Sequence, residues 1–143
     1  MTITFHPLPA PGDIVWCNFP EIVGNPGPKP RPALVVAVAT KQHAVKIAYG
    51  TSQKTSKVYP GEFVLDPADA GFSDSGLACC TKFDLGKTVT VPFDSDWFSP
   101  SPGITPLTPL PKMGVLHPSY MPALQTAVLQ LNAANAKAKV KKP

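Results

Sequence analysis

The hydrophobic positions of this chain fall into short runs broken by proline, glycine and polar clusters. Asp13-Ile14-Val15-Trp16-Cys17-Asn18-Phe19 and Ala33-Leu34-Val35-Val36-Ala37-Val38-Ala39 are rich in β-branched and aromatic residues, which suit a pleated, half-buried surface and predict two strands. Past a turn at Lys41-Gln42, Ala44-Val45-Lys46-Ile47-Ala48-Tyr49 predicts a third strand and Glu62-Phe63-Val64-Leu65 a short fourth. Asp66-Pro67 reads as an N-cap and first helical residue, with Gly71 closing a single helical turn. Residues 76–81 and 87–92 predict two further strands. Short strands in succession with turn signals between them predict a mainly β domain built as a small closed or half-closed barrel. The pattern then changes, because residues 99–122 hold seven prolines in 24 positions and predict an extended wrap with no regular structure. From Ser119, read as a cap, the period becomes helical: Met121, Leu124, Val128 and Leu131 share a stripe with Ala127 and Ala134, as expected for a helix packed on the core. The organisation is one domain with an extended arm at 1–11, the barrel at 12–98, the proline-rich wrap at 99–118, the C-terminal helix at 119–136 and a basic tail at 137–143.

Composition narrows the classes open to this fold. A chain of 143 residues makes one domain with a modest core. Three cysteines give no even disulfide framework; Cys17 lies in the first predicted strand and Cys79-Cys80 in another, which predicts core thiols in a reducing compartment. There is no CxxC, and His6, His43 and His117 lie far apart, so no metal site and no cofactor are predicted. No apolar run approaches the length of a membrane span, and residues 1–11 lack the charged start and apolar stretch of a signal peptide, which predicts a soluble, cytoplasmic protein.

Charge adds a second pattern. The formal net charge is +4, but Lys137, Lys139, Lys141 and Lys142 account for it and the rest of the chain balances. Within that balanced body the signs segregate. Residues 22–61 carry Lys29, Arg31, Lys41, Lys46, Lys54 and Lys57 with no acid, whereas residues 62–96 carry seven acids against Lys82 and Lys87. A positive field drawn from the first segment suits a polyanion, provided that its members share a face.

The candidate chemistry lies in two loops of that segment. Gly24-Asn25-Pro26-Gly27-Pro28-Lys29-Pro30-Arg31-Pro32 is a proline-stiffened connection with little freedom to lose on binding. Gly50-Thr51-Ser52-Gln53-Lys54-Thr55-Ser56-Lys57 is polar and hydroxyl-rich. If the barrel puts both on one rim, Arg31 can hold a phosphate bidentately and offset charge that develops on it, and Thr51 can position it by hydrogen bonding. Taken singly, Arg31 equally suits a surface ion pair and Thr51 a turn-stabilising hydroxyl.

Gly12-Asp13-Ile14-Val15-Trp16, followed by Gly24 and by Lys29-Pro30-Arg31-Pro32-Ala33-Leu34-Val35-Val36, resembles the opening signature of the MazF/PemK toxins of bacterial type II toxin–antitoxin systems. Thr51-Ser52-Gln53 resembles the second signature, and Tyr59-Pro60 with Glu62-Phe63-Val64-Leu65, Asp66 to Asp74 and Ser75-Gly76-Leu77-Ala78 continue the likeness to about residue 92. The resemblance implies an SH3-like barrel of the MazF/PemK/CcdB type, a homodimer, a cognate antitoxin partner and metal-independent cleavage of single-stranded RNA by 2′-hydroxyl attack. It places the catalytic roles on Arg31 and Thr51; from the chemistry of the same two loops, Asn25, Lys29, Ser52, Gln53, Lys54 and Lys57 are the expected RNA contacts. Several relatives carry an acid in the first loop where this chain has Asn25-Pro26, which leaves the general base unassigned. The same fold also serves toxins that inhibit a protein target such as DNA gyrase, and a binding module without nuclease chemistry is the remaining alternative.

Overall fold

A computed structural model of the protein describes residues 2–21, 24–100 and 110–140. The middle of the proline-rich segment and Lys141 and Lys142 lie outside them. Among the described residues six strands, β1 (Asp13–Cys17), β2 (Arg31–Ala39), β3 (Ala44–Thr51), β4 (Glu62–Leu65), β5 (Thr81–Pro92) and β6 (Lys112–Val115), form one antiparallel sheet in the order β4-β5-β3-β2-β1-β6. The sheet curls into a half-barrel followed by helix α1 (Met121–Val140), as expected of a mainly β fold with a C-terminal helix.

Period-2 alternation divides the core between the two faces of the sheet. Val15, Val35 and Ile47 join Phe93 and Phe98 in one buried cluster, while their neighbours Ile14, Leu34 and Ala48 join Phe63, Phe83 and Tyr120 in the other. The arm runs beside the end of β5, where the Phe5 amide donates to the Phe93 carbonyl at 3.1 Å.

Several elements differ from the sequence expectation, each for a local reason. The helical turn begins after Gly71, not at Asp66: Asp66 Oδ1 accepts from the Ala68 amide at 2.8 Å in a side-chain turn, and a short 3-10 helix follows at Phe72–Ser75. Gly76 closes it with φ +71°, so residues 76–80 are irregular and no strand forms there. A methyl group at Gly76 would also collide with the Met113 carbonyl. The later strand instead extends back to Thr81, through a bulge in which Tyr49 pairs with Asp84 but Ala48 pairs with Thr88. Cys79 is consequently exposed and Cys80 half-buried, and only Cys17 is a core thiol, its pKa pushed up by burial. The proline-rich segment contains regular structure after all, because Lys112-Met113-Gly114-Val115 is free of proline and pairs with β1. His117, not Ser119, caps the turn into α1, its ring accepting from the Ser119 amide at 3.0 Å. The helix runs on to Val140, into the lysine-rich tail, and its stripe is only partly core: Ala127 is buried, whereas Met121 and Val128 are exposed.

Candidate active site

Three strands bring the site together. In the register of β2 with β3, Ala33 faces Tyr49, and in that of β3 with β5, Thr51 faces Lys82. Close approach at this end of the sheet depends on Gly50, where a side chain would meet the Pro32 carbonyl and the Phe83 ring. The result is a cavity of about 600 Å³ that holds Arg31 and Thr51 together with Lys29, Gln53 and Lys54. Of the other residues singled out from sequence, Ser52 lines an adjoining cavity that shares Arg31 and Thr51, while Asn25 and Lys57 line neither.

The cavity also receives residues from the acid-rich segment that sequence reasoning passed over. Glu62, Lys82, Asp84 and Lys87 line it, so the signs segregated along the chain mix in space, five positive side chains facing two carboxylates. Lys41 and Lys46 do not join them, and Lys46 lies instead along the groove beneath α1. Alternation in Lys82-Phe83-Asp84 places those two side chains on one face of a strand, and the register of β5 against β3 and β4 brings that face to the cavity.

Lys82 is the structural centre of this group. It is 6% exposed, and its ammonium reaches Glu62 Oε1 at 3.2 Å, the Lys54 carbonyl at 3.2 Å and the Lys57 carbonyl at 2.8 Å. Three acceptors match the three donors of an ammonium group, which makes a buried lysine tolerable and fastens the loop that carries Thr51, Gln53 and Lys54. Glu62 Oε1 also accepts from the Tyr59 amide at 2.8 Å, so this carboxylate is committed to holding structure. Asp84 is half-buried and uses Oδ1 to accept from the Gly86 amide at 2.8 Å within the β5 bulge. Thr51 Oγ1 accepts from the Gln53 amide at 3.0 Å, which fixes the hydroxyl and leaves its proton to donate. The Lys87 ammonium sits 4.0 Å from the centre of the Tyr49 ring, a cation–π contact on the cavity wall. Chemically, the arrangement offers a permanently charged guanidinium, ammonium groups, an oriented hydroxyl and, among the described residues, one carboxylate with no ion-pair partner, the set needed to bind an anion and move a proton.

Among the described residues no group of three His, Cys, Asp or Glu side chains is placed to hold a metal ion, and no helix is long and apolar enough to cross a membrane. No curated protein sequence matches the chain. A solved structure, an endoribonuclease in complex with its cognate antitoxin from Mycobacterial species, has the same fold with a TM-score of 0.53 at 15% identity, over 87% of this chain and 95% of that one. The sequence pattern of the PemK-like, MazF-like toxins of type II toxin–antitoxin systems matches residues 10–95, the region that builds β1 to β5 and the cavity. With more than half of its length matched, the chain belongs to the PemK/MazF-like toxin family of type II toxin–antitoxin systems.

Proposed function

We propose that this protein is a toxin that cuts single-stranded RNA by attack of a ribose 2′-hydroxyl on the adjacent phosphate, with no metal ion. The observation that carries this reading is the meeting of Arg31, Thr51 and Asp84 in one cavity lined by lysines. Arg31 binds the non-bridging oxygens of the scissile phosphate and offsets the charge that grows on them. Thr51 donates to the phosphate or the ribose and holds the attacking oxygen in line. Asp84 accepts the 2′-hydroxyl proton; Glu62 is unsuited to this because Lys82 and the Tyr59 amide already occupy it. The new bond joins the 2′ oxygen to phosphorus, the bond to the 5′ oxygen breaks, and that oxygen takes a proton from water, to which Asp84 later returns the one it accepted. The products are a 2′,3′-cyclic phosphate and a 5′-hydroxyl.

Lys29, Lys54 and Lys87 hold neighbouring phosphates, a sequence-independent attraction that weakens with salt. The active unit is a homodimer, and an acidic antitoxin segment covers the basic cavity. Family membership and the antitoxin bound to the endoribonuclease of like fold support this partnership. The cytoplasm, where RNA and an antitoxin meet it, is its place of action.

The test is cleavage of a long unstructured RNA in excess chelator. The expected result is undiminished cutting and 5′ ends that accept a phosphate from a kinase without prior dephosphorylation. Cutting that stops in chelator and returns with a divalent ion would contradict the mechanism.

A further inference from the structure

Another cavity, of about 460 Å³, lies between α1 and the sheet and shares no lining residue with the one that holds Arg31. Its walls are aliphatic, chiefly Leu34 and Val36 of β2, Leu85 of β5, Leu116, and Leu124 and Leu131 of α1. No aromatic and no acidic side chain lines it, and Lys46 is its single charged residue.

The cavity follows from where the helix is anchored. α1 packs against β4 and β5. Gly61 and Gly86 admit Leu131 there, since a Cβ at either would stand 3.1 or 3.3 Å from a Leu131 methyl. That anchor holds the helix to one side of the sheet, so the space along β2 and β3 is not filled. One end of the space is polar. In the register of β3 with β5, Lys46 pairs with Thr90 and Ala48 with Thr88, which sets Lys46 and Thr88 diagonally on one face. Both line the cavity, and among the described residues Lys46 has no ion-pair partner.

We infer that this cavity binds a straight-chain aliphatic carboxylate, with the carboxylate on Lys46 and Thr88 and the chain lying between the sheet and α1. A lone ammonium at the end of an apolar cavity is complementary to a monoanion whose remainder is apolar. With no aromatic wall a flat ring gains no stacking, whereas methylenes fill the space between leucines. At about 30 Å³ per non-hydrogen atom, the share of liquid volume that one water takes, the cavity holds on the order of 15 atoms, which sets the chain at about 8 to 12 carbons. The site uses none of the residues assigned to RNA cleavage and stands or falls separately from them.

The methionines supply a readout, because Met121 lines this cavity whereas Met113 lines the one that adjoins Arg31 and Thr51. Protein carrying carbon-13 at its methionine methyls is titrated with octanoate, decanoate and dodecanoate below their micelle concentrations, and with octanol and decanol. The expected result is a saturable shift of the Met121 methyl signal with that of Met113 unmoved. Affinity should rise about twofold to fourfold for each added methylene, the range for partly to fully buried CH₂ groups. Octanoate and decanoate should each bind about fivefold more tightly than the matching alcohol. Lys46→Gln, a change at an exposed position of β3, should erase that difference and leave the melting temperature unchanged. If this variant does not fold, the acid and alcohol titrations of the native chain decide. Equal binding of acid and alcohol by the native chain, or no saturable Met121 shift up to dodecanoate, would overturn the site. A Met121 signal that moves with protein concentration alone and ignores the carboxylates would also overturn it, and would give this face to a second copy of the chain.

Discussion

At the scale of residues, Arg31 and Thr51 were legible because each sits in a loop whose composition is unusual by itself. Lys82, Asp84 and Glu62 were not, since they come from a stretch that reads as acidic and remote and only the register of β5 against β3 and β4 carries them to the cavity. The general base missing from the first loop is, on this account, supplied across the sheet by Asp84. Two amide substitutions separate the roles of the carboxylates. Asp84→Asn should lower the cleavage rate on the order of 100-fold with little change in melting temperature, because it removes a proton acceptor. Glu62→Gln should instead lower the melting temperature clearly, because it strips the charged partner from buried Lys82. Full activity in Asp84→Asn would remove Asp84 from the mechanism.

At the scale of elements, strands with alternating or continuous apolar runs were readable, and β1 to β4 begin and end close to where composition places them. The junctions were not. Gly71 and Gly76 bracket the 3-10 turn instead of ending a helix and starting a strand, and the three-residue bulge at 85–87 joins into β5 what reads as separate pieces. β6 was hidden by the prolines around it, four residues being too short a window to stand out. Tyr120, at the entrance to α1, ties this region down: it is buried, and its hydroxyl donates to Asp69 Oδ2 at 2.9 Å. Burial, and then the Asp69 carboxylate, push its pKa well above the ordinary value. A phenol whose pKa is raised on folding gives its full stabilisation below the unfolded value of about 10 and loses it as pH climbs from there. Tyr120→Phe should therefore be less stable than the native chain by about 2 kcal/mol at pH 7, and the gap should narrow as pH rises past about 10. Urea unfolding across that range checks it, and a gap that stays constant would contradict the assigned burial and bond.

At the scale of the whole molecule, the mainly β class and the C-terminal helix followed from period and punctuation, whereas the charge pattern along the chain was a poor guide to the field in space. Lys29, Arg31 and Lys54 meet, Lys46 goes to the opposite groove, and Glu62 and Asp84 join the positive residues. The helix leaves Leu129 69% exposed beside Val128, an uncovered apolar strip on a small domain, which supports assembly into the proposed homodimer. Sedimentation equilibrium at micromolar concentration should give about twice the 15.1 kDa chain mass. A species that stays at the monomer mass up to the highest soluble concentration would exclude the dimer.

The central claim, that Arg31 in this cavity makes the protein an RNA-cutting toxin, is tested most directly by Arg31→Ala. Arg31 is half-buried at the start of β2 and belongs to neither core cluster, so the substitution should leave the circular dichroism and melting temperature unchanged. Single-turnover cleavage of RNA should fall by at least about 100-fold, the loss of transition-state charge stabilisation on the order of 3 kcal/mol. Cleavage at the native rate by a folded Arg31→Ala protein would contradict the account.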